Sequence, residues 1–290
     1  MPDSQNLGAA GSETPVRIDV FGATHCGKVR PVNEDQFFIA SLHKSMRVHQ
    51  TSLDDLGAFA RLSGSTAYLL VVADGLGGHR DGQLASGTAV TTIAAHLGET
   101  IGCCYSFDVD EEHAFLSQLE DAVARAHRQV LQRHAGDGGR GPATTLTMVA
   151  LMWPRAYVVH VGDSRAYYLR GGRLRQLTRD QTVYEQLLDA GVVQEGPPGS
   201  PGIEDRMKNV LTSAIGFEIT PSIGLVDLEP GDVLLLCTDG LVKHVPDADI
   251  AGILGECGSA EDGSRRLVDV TLERGARDNV TAIVGRFAAS

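Results

Sequence analysis

The chain has 290 residues, 42% of them hydrophobic and 21% charged, and a formal net charge of −12. That length can bury a substantial core as one large or two small domains, and the acidic balance without a basic stripe speaks against nucleic acid. Five cysteines (Cys26, Cys103, Cys104, Cys237, Cys257) without a C-x-x-C pair speak against a disulfide framework or zinc site and for a reducing compartment.

No apolar run reaches the length of a membrane span, and the N-terminus lacks the basic and apolar regions of a signal peptide. A soluble cytoplasmic protein with no membrane partner is expected. The first 15 residues, rich in Ser, Gly, Asn and Pro, are expected to form a disordered leader. A strand is expected over Arg17 to Thr24, then a charged loop carrying Arg30, Glu34 and Asp35, then a strand over Gln36 to Ala40. Taken alone, that loop could be a turn whose charges satisfy one another.

Ser41 to Ser65 is polar and is expected to be a loop with a helical turn or two. Tyr68 to Ala73 is an apolar run that predicts a strand buried on both faces. Helices are expected over Gln83 to Leu97, where Val90, Ile93, Ala94 and Leu97 share a face, and around Phe115 to Val130. Gly136 to Pro142 reads as a connection. Strands follow over Thr144 to Met152, Ala156 to Val161, Arg165 to Leu169 and Leu174 to Leu177, with Gly171-Gly172 as a hairpin turn. A helix is expected over Arg179 to Ala190, a mobile excursion over Gln194 to Asp205, and a short helix over Met207 to Ile215. Strands over Pro221 to Asp227 and Asp232 to Cys237, helices over Asp247 to Leu254 and Ser259 to Glu273, and a strand over Val280 to Phe287 complete the chain.

Helices at the two ends and hairpin-like strands between them predict an α+β class with antiparallel sheets, not alternating βαβ units. No linker interrupts the composition, so one domain over 16–288 is expected.

Four of these strand ends carry an acid. Asp74-Gly75 follows the buried run, Gly162-Asp163 follows Ala156 to Val161, Asp239-Gly240 follows Asp232 to Cys237, and Asp278-Asn279 precedes the last strand. Asp-Gly turns are common, but an acid ending a buried strand is costly unless its charge is compensated. If the ends converge, only cations stabilise them, and carboxylate plus backbone carbonyl suits Mg2+ or Mn2+. Nucleotide motifs fail on spacing. A dinucleotide fingerprint from Gly75 needs glycine where Arg80 stands, there is no P-loop, and Ser164 lies in no G-x-S-x-G elbow.

Gly27 to Asp35 (G-x-x-R-x-x-N-E-D), Asp74 to His79 (D-G-L-G-G-H), Gly162 to Tyr167 (G-D-S-R-A-Y), Thr238-Asp239-Gly240 and Asp278-Asn279 together resemble the ordered motifs of the metal-dependent serine/threonine protein phosphatases, the PPM or protein phosphatase 2C type, in bacterial form. The resemblance extends roughly from Arg17 to Phe287. It implies two packed antiparallel β-sheets flanked by helices, an αββα sandwich, with a two-metal Mn2+ or Mg2+ centre at one edge.

By that resemblance Asp74 bridges both ions and Gly75 offers its carbonyl to one. Asp239 and Asp278 hold the second ion, Glu34 and Asp35 support it directly or through water, and Asp163 belongs to a third, weaker ion. Arg30 binds the substrate phosphate, and residues 180–220 match a flap beside the site. The implied reaction is hydrolysis of phosphoserine and phosphothreonine in proteins by a metal-bound hydroxide, with Arg30 and Asp74 in catalytic roles. Phosphorylated substrates of a serine/threonine kinase are the implied partners. His79 is a candidate proton donor to the leaving group or a surface residue, and His160 is expected to be a packed residue.

The flap carries Lys208 and Ser213 where arginines are expected, Gln181 replaces a histidine, and the 41–65 insertion is long. These departures bear on substrate choice. A pseudo-phosphatase, a binding module that keeps the fold for regulation, is the alternative; the presence of Asp74, Asp163, Asp239 and Asp278 favours the enzyme.

Overall fold

A computed structural model describes residues 16–43, 66–77, 80–100, 109–133, 141–193 and 207–289. Strands β1 (Val16–His25), β2 (Gln36–His43), β3 (Thr66–Ala73) and β4 (Gly75–Leu76) precede helices α1 (Arg80–Thr100) and α2 (Val109–Gln132). Strands β5 (Ala143–Thr144), β6 (Leu146–Met152), β7 (Arg155–Val161), β8 (Arg165–Arg170) and β9 (Arg173–Gln176) follow, then α3 (Val183–Asp189), β10 (Ser222–Asp227) and β11 (Val233–Cys237). Helices α4 (Asp239–Val242), α5 (Asp247–Glu256) and α6 (Ala260–Glu273) lead into β12 (Val280–Ala289).

The strands form two five-stranded antiparallel sheets, ordered β1-β12-β11-β8-β9 and β10-β7-β6-β3-β2, with β4-β5 as a small third pair. Side-chain alternation along each strand divides the apolar residues among three layers. Leu70 and Val72 of β3, with Val149 and Leu151 of β6, face Leu234, Leu236, Ile283 and Phe287 across the gap between the sheets. Leu69, Val71 and Ala73 face the other way, against Ile93 and Leu97 of α1 and Leu119 and Val123 of α2. On the opposite face Val233, Leu235, Val280 and Val284 pack under Ile250, Leu254 and Leu267. The expected αββα sandwich is the fold observed, and Leu69 to Ala73 are buried on both faces.

Register decides where the strands stop. Gln36 pairs with Ala73, Cys237 with Ala282 and Leu146 with Val161. The C-terminal ends of β3, β7 and β11 therefore lie beside the N-terminal ends of β2, β6 and β12. The hairpin between β8 and β9 turns on Gly171 and Gly172, whose φ values of 55° and 76° are those a type I′ turn requires. His160 is a packed residue, as expected. Its Nδ1 lies 2.9 Å from Thr147 Oγ1 and its Nε2 3.0 Å from the Arg179 carbonyl, and burial pushes its pKa down to about 4.

Two helices differ from expectation. The one expected from Arg179 starts at Val183, with Thr182 as its N-cap. Its earlier residues are committed elsewhere: Gln181 donates its N–H to the Gly162 carbonyl at 2.7 Å and accepts from Thr212 N–H at 2.8 Å. The helix expected over Met207 to Ile215 stops at Lys208. Val210 accepts from the Val183 N–H at 2.9 Å, and Ile215 exchanges bonds with Thr144 at 2.8 and 2.9 Å. Backbone groups satisfied across the fold outweigh local periodicity here. The one-turn helix α4 was not expected.

The expected leader, residues 44–65 of the insertion, the excursion over 194–206, most of the Gly136 to Pro142 connection, Cys103, Cys104 and His79 lie outside the described residues. No helix among the described residues is long and apolar enough to cross a membrane.

Candidate functional site

The acid-bearing strand ends meet in a cleft of about 990 Å³. Arg30, Glu34, Asp74, Gly75, Asp163, Asp239 and Asp278 all line it, and Asp35 lies buried behind them. Every described site residue expected from the sequence is thus brought together; His79 lies outside the described residues.

The main chain of Asp74 is pinned. Its N–H donates to Thr145 Oγ1 at 2.9 Å, and its carbonyl accepts from Thr145 N–H at 2.9 Å and Thr144 Oγ1 at 2.8 Å. Thr145 Oγ1 is also 2.7 Å from Ser164 Oγ, which ties the Asp163 turn to the Asp74 turn. Gly75 has no room for a side chain, since a Cβ there would stand 2.3 Å from the Gly82 carbonyl oxygen and 2.7 Å from that of Glu34.

Asn279 fastens the Arg30 loop. Its Oδ1 accepts from Glu34 N–H at 2.8 Å, and its Nδ2 donates to the carbonyls of Cys26 at 3.0 Å and Val32 at 2.9 Å. Asp35 Oδ2 accepts from Thr238 Oγ1 at 2.8 Å and Thr281 Oγ1 at 2.7 Å. Arg30 does not neutralise its loop neighbour Asp35; its Nε pairs with Asp278 Oδ1 at 3.0 Å.

Burial and mutual repulsion dominate the electrostatics. Asp35 is pushed up to about 7 by burial, against the two threonine hydrogen bonds, with Asp239 and Asp278 adding repulsion. Burial and then the neighbouring acids hold Asp74 well above the usual carboxylate range, and Asp163 behaves likewise. Lys243 reaches in among them, pairing with Asp239 and lying 3.5 Å from Asp278 Oδ2.

Among the described residues, no three Asp, Glu, His or Cys side chains close around a point as an ion would require; Asp239 and Asp278 are drawn to cationic side chains instead. The donor set nevertheless fits a hard divalent ion. It is all oxygen, its acids repel one another, and Asp35 Oδ1 and Asp239 Oδ1 are buried without a hydrogen-bond partner.

These shifts predict the behaviour of chelated protein. An acid whose pKa is raised on folding stabilises fully below about pH 4, the unfolded value, and loses that contribution as pH rises through its folded value. His160 has the opposite sign, its contribution being complete above its ordinary 6.5 and lost as pH falls through about 4. Between pH 6.5 and 8 only the acids' loss remains. The melting temperature of chelated protein should fall over that interval, and less in Asp35→Asn; equal slopes in both proteins would remove Asp35 as its source.

Sequence reasoning missed Lys243, whose signal was its position four residues after Asp239, one helical turn away. It also missed the threonines 144, 145, 238 and 281, which hold the acids yet carry no sign of it in their local sequence. The bidentate pair of Arg165 with Asp180, at 2.8 and 2.7 Å, joins residues too far apart in sequence for any local pattern to indicate.

The chain matches the family described as Protein phosphatase 2C over residues 44–275. It is 33% identical over 220 residues to the serine/threonine protein phosphatase PstP of Mycobacterium tuberculosis, covering 75% of this chain and 40% of that protein's length. It is 32% identical over 216 residues to the protein phosphatase PhpP of Streptococcus pneumoniae, covering 73% of this chain and 83% of that one. A solved structure of the catalytic domain of PstP in complex with 2 manganese ions is 28% identical, covers 94% of this chain and 100% of that one, and superposes with a TM-score of 0.70. Sequence and fold agree over most of the chain, which therefore belongs to the protein phosphatase 2C family.

Proposed function

We propose that this chain hydrolyses phosphoserine and phosphothreonine esters in proteins, using Mn2+ or Mg2+ held by the acid cluster. The observation that carries the reading is the convergence of carboxylates from separate strand ends in one cleft, a costly arrangement with no structural return. The family's named phosphatases and the manganese in the PstP structure support it.

Two ions per site are assigned. Asp74 would be shared between them, with the Gly75 carbonyl as a further donor, and Asp239 and Asp278 would hold one ion. Glu34 and Asp35 would support that ion directly or through water, and Asp163 would belong to a third, weaker ion. When bound, the ions supply Lewis-acid charge, acidifying coordinated water and offsetting charge on phosphoryl oxygens.

The chain's own residues do the rest. Arg30, half exposed with its Nε on Asp278, has its Nη groups left to grip two phosphate oxygens in parallel. His79, five residues after Asp74 in sequence, is assigned the proton for the leaving hydroxyl. Asp180, Thr182, Tyr184, Lys208 and Leu211 line the same cleft, so the described parts of the flap over 180–220 would meet the polypeptide around the phosphate. The domain so defined runs over 16–288. Its substrates are assigned to a serine/threonine kinase, and the free thiols of Cys26, Cys237 and Cys257 support a reducing, cytoplasmic setting.

The test is hydrolysis of an aryl phosphate and a phosphothreonine peptide with Mn2+, with Mg2+, and after exhaustive chelation. Activity restored by the ions and silenced by the chelator is expected. Ion binding without turnover would support the pseudo-phosphatase reading, and undiminished activity after chelation would overturn the metal assignment.

Arg30→Ala should raise KM for the aryl phosphate about tenfold, one charged hydrogen-bonding group being worth roughly 1.5–3 kcal/mol. An unchanged KM with weakened Mn2+ binding would place Arg30 in the service of Asp278.

A further inference from the structure

Among the described residues Lys243 is the lysine paired with the acids of the cluster, and its position is built in. It follows α4, its N–H donates to the Asp239 carbonyl at 2.9 Å, and one helical turn separates it from Asp239, so its side chain returns over the acid. The ammonium pairs with Asp239 and lies 3.5 Å from Asp278 Oδ2. These are the two carboxylates that the proposed function assigns to one divalent ion. Attraction from Asp239, Asp278 and Asp163 favours its charged form against the cost of burial.

We propose that Lys243 is an internal competitor for that ion, occupying Asp239 and Asp278 in the metal-free protein and displaced when a divalent ion binds. An ammonium and a divalent ion cannot share the same two carboxylates without like-charge repulsion, so each binds at the expense of the other. The lysine thereby stabilises the metal-free fold and lowers the affinity for metal. Metal loading in this chain is set against a tethered cation, which makes occupancy sensitive to the free ion concentration.

The inference rests on the acids being metal ligands, and the experiment separates the two ideas. Mn2+ alone is titrated by calorimetry into chelator-treated wild type, Lys243→Met and Lys243→Arg, and each metal-free protein is melted. Lys243→Met should bind Mn2+ up to about fivefold more tightly than wild type and melt at a lower temperature without metal. Lys243→Arg keeps the charge and should stay near wild type in both. Equal Mn2+ affinity in wild type and Lys243→Met, whatever the melting temperatures, would make Lys243 a structural ion pair and overturn the inference alone. No Mn2+ binding by wild type would overturn the reading of the site and the inference with it.

Discussion

Asp74→Asn is expected to lower kcat for an aryl phosphate by about 10³-fold or more, a loss of several kcal/mol of transition-state stabilisation. The substitution is nearly isosteric, and the contacts that fix residue 74 run through its backbone to Thr144 and Thr145, so the strand end should stay in place. The carboxylate charge is what is lost, along with the oxygen assigned to both ions. The same change should raise the melting temperature of chelated protein at pH 8, because it removes a half-buried acid whose ionisation is opposed first by desolvation and then by Asp35 and Asp239. Turnover lost in the presence of metal, together with a gain in stability of the metal-free fold, distinguishes a functional acid from a structural one. Retention of more than about a tenth of wild-type turnover would mean that Asp74 is not the shared ligand.

The fold was legible where its determinants were local. β3 announces itself as an apolar run because both its faces are covered, and α2 as a periodic stripe from Phe115 to Val130 because only one of its faces is. Gly171-Gly172 specifies its turn by conformation alone. The flap failed for the opposite reason. Residues 207–215 have helical periodicity, but their backbone groups find partners at Gln181, Val183 and Thr144, and no local pattern records a partner that is distant in sequence.

The site divides in the same way. Its acids could be found because a carboxylate closing a buried strand conflicts with packing, and four such conflicts pointed to one cause. The groups that hold them were not visible. Thr238 and Thr281 look like ordinary strand residues until the pairing of β11 with β12 brings both hydroxyls onto Asp35. The partner of Arg30 was also out of reach, since Asp278 lies near the other end of the chain and comes close only through the pairing of β1 with β12, the Lys28 N–H bond to the Ala276 carbonyl and the contacts of Asn279. Lys243 was within reach by helical spacing, but the helix α4 that gives the spacing meaning was not expected.

Gly240→Ala is expected to damage stability and metal binding together. The glycine follows Asp239 in the first turn of α4, where its backbone conformation is ordinary, so space and not φ demands glycine. A Cβ there would stand 1.9 Å from the Asn279 carbonyl oxygen and 3.0 Å from its carbon. Both obstacles are main chain, at the point where β12 begins, so neither can rotate aside. Either α4 or the Asp278-Asn279 segment must retreat. Overpacking of this kind costs about 1–3 kcal/mol, which corresponds to a fall of roughly 3–10 °C in melting temperature. The retreat would widen the gap between Asp239 and Asp278, so Mn2+ affinity should fall by more than the stability loss alone would produce. Gly252→Ala supplies the control: that glycine lies exposed in α5 with nothing within 4 Å of the added methyl, and helix propensity predicts a gain of about 0.5–1 kcal/mol. If Gly240→Ala melted within about 1 °C of wild type and bound Mn2+ as tightly, the two acid-bearing turns would not be nested as closely as the structure places them.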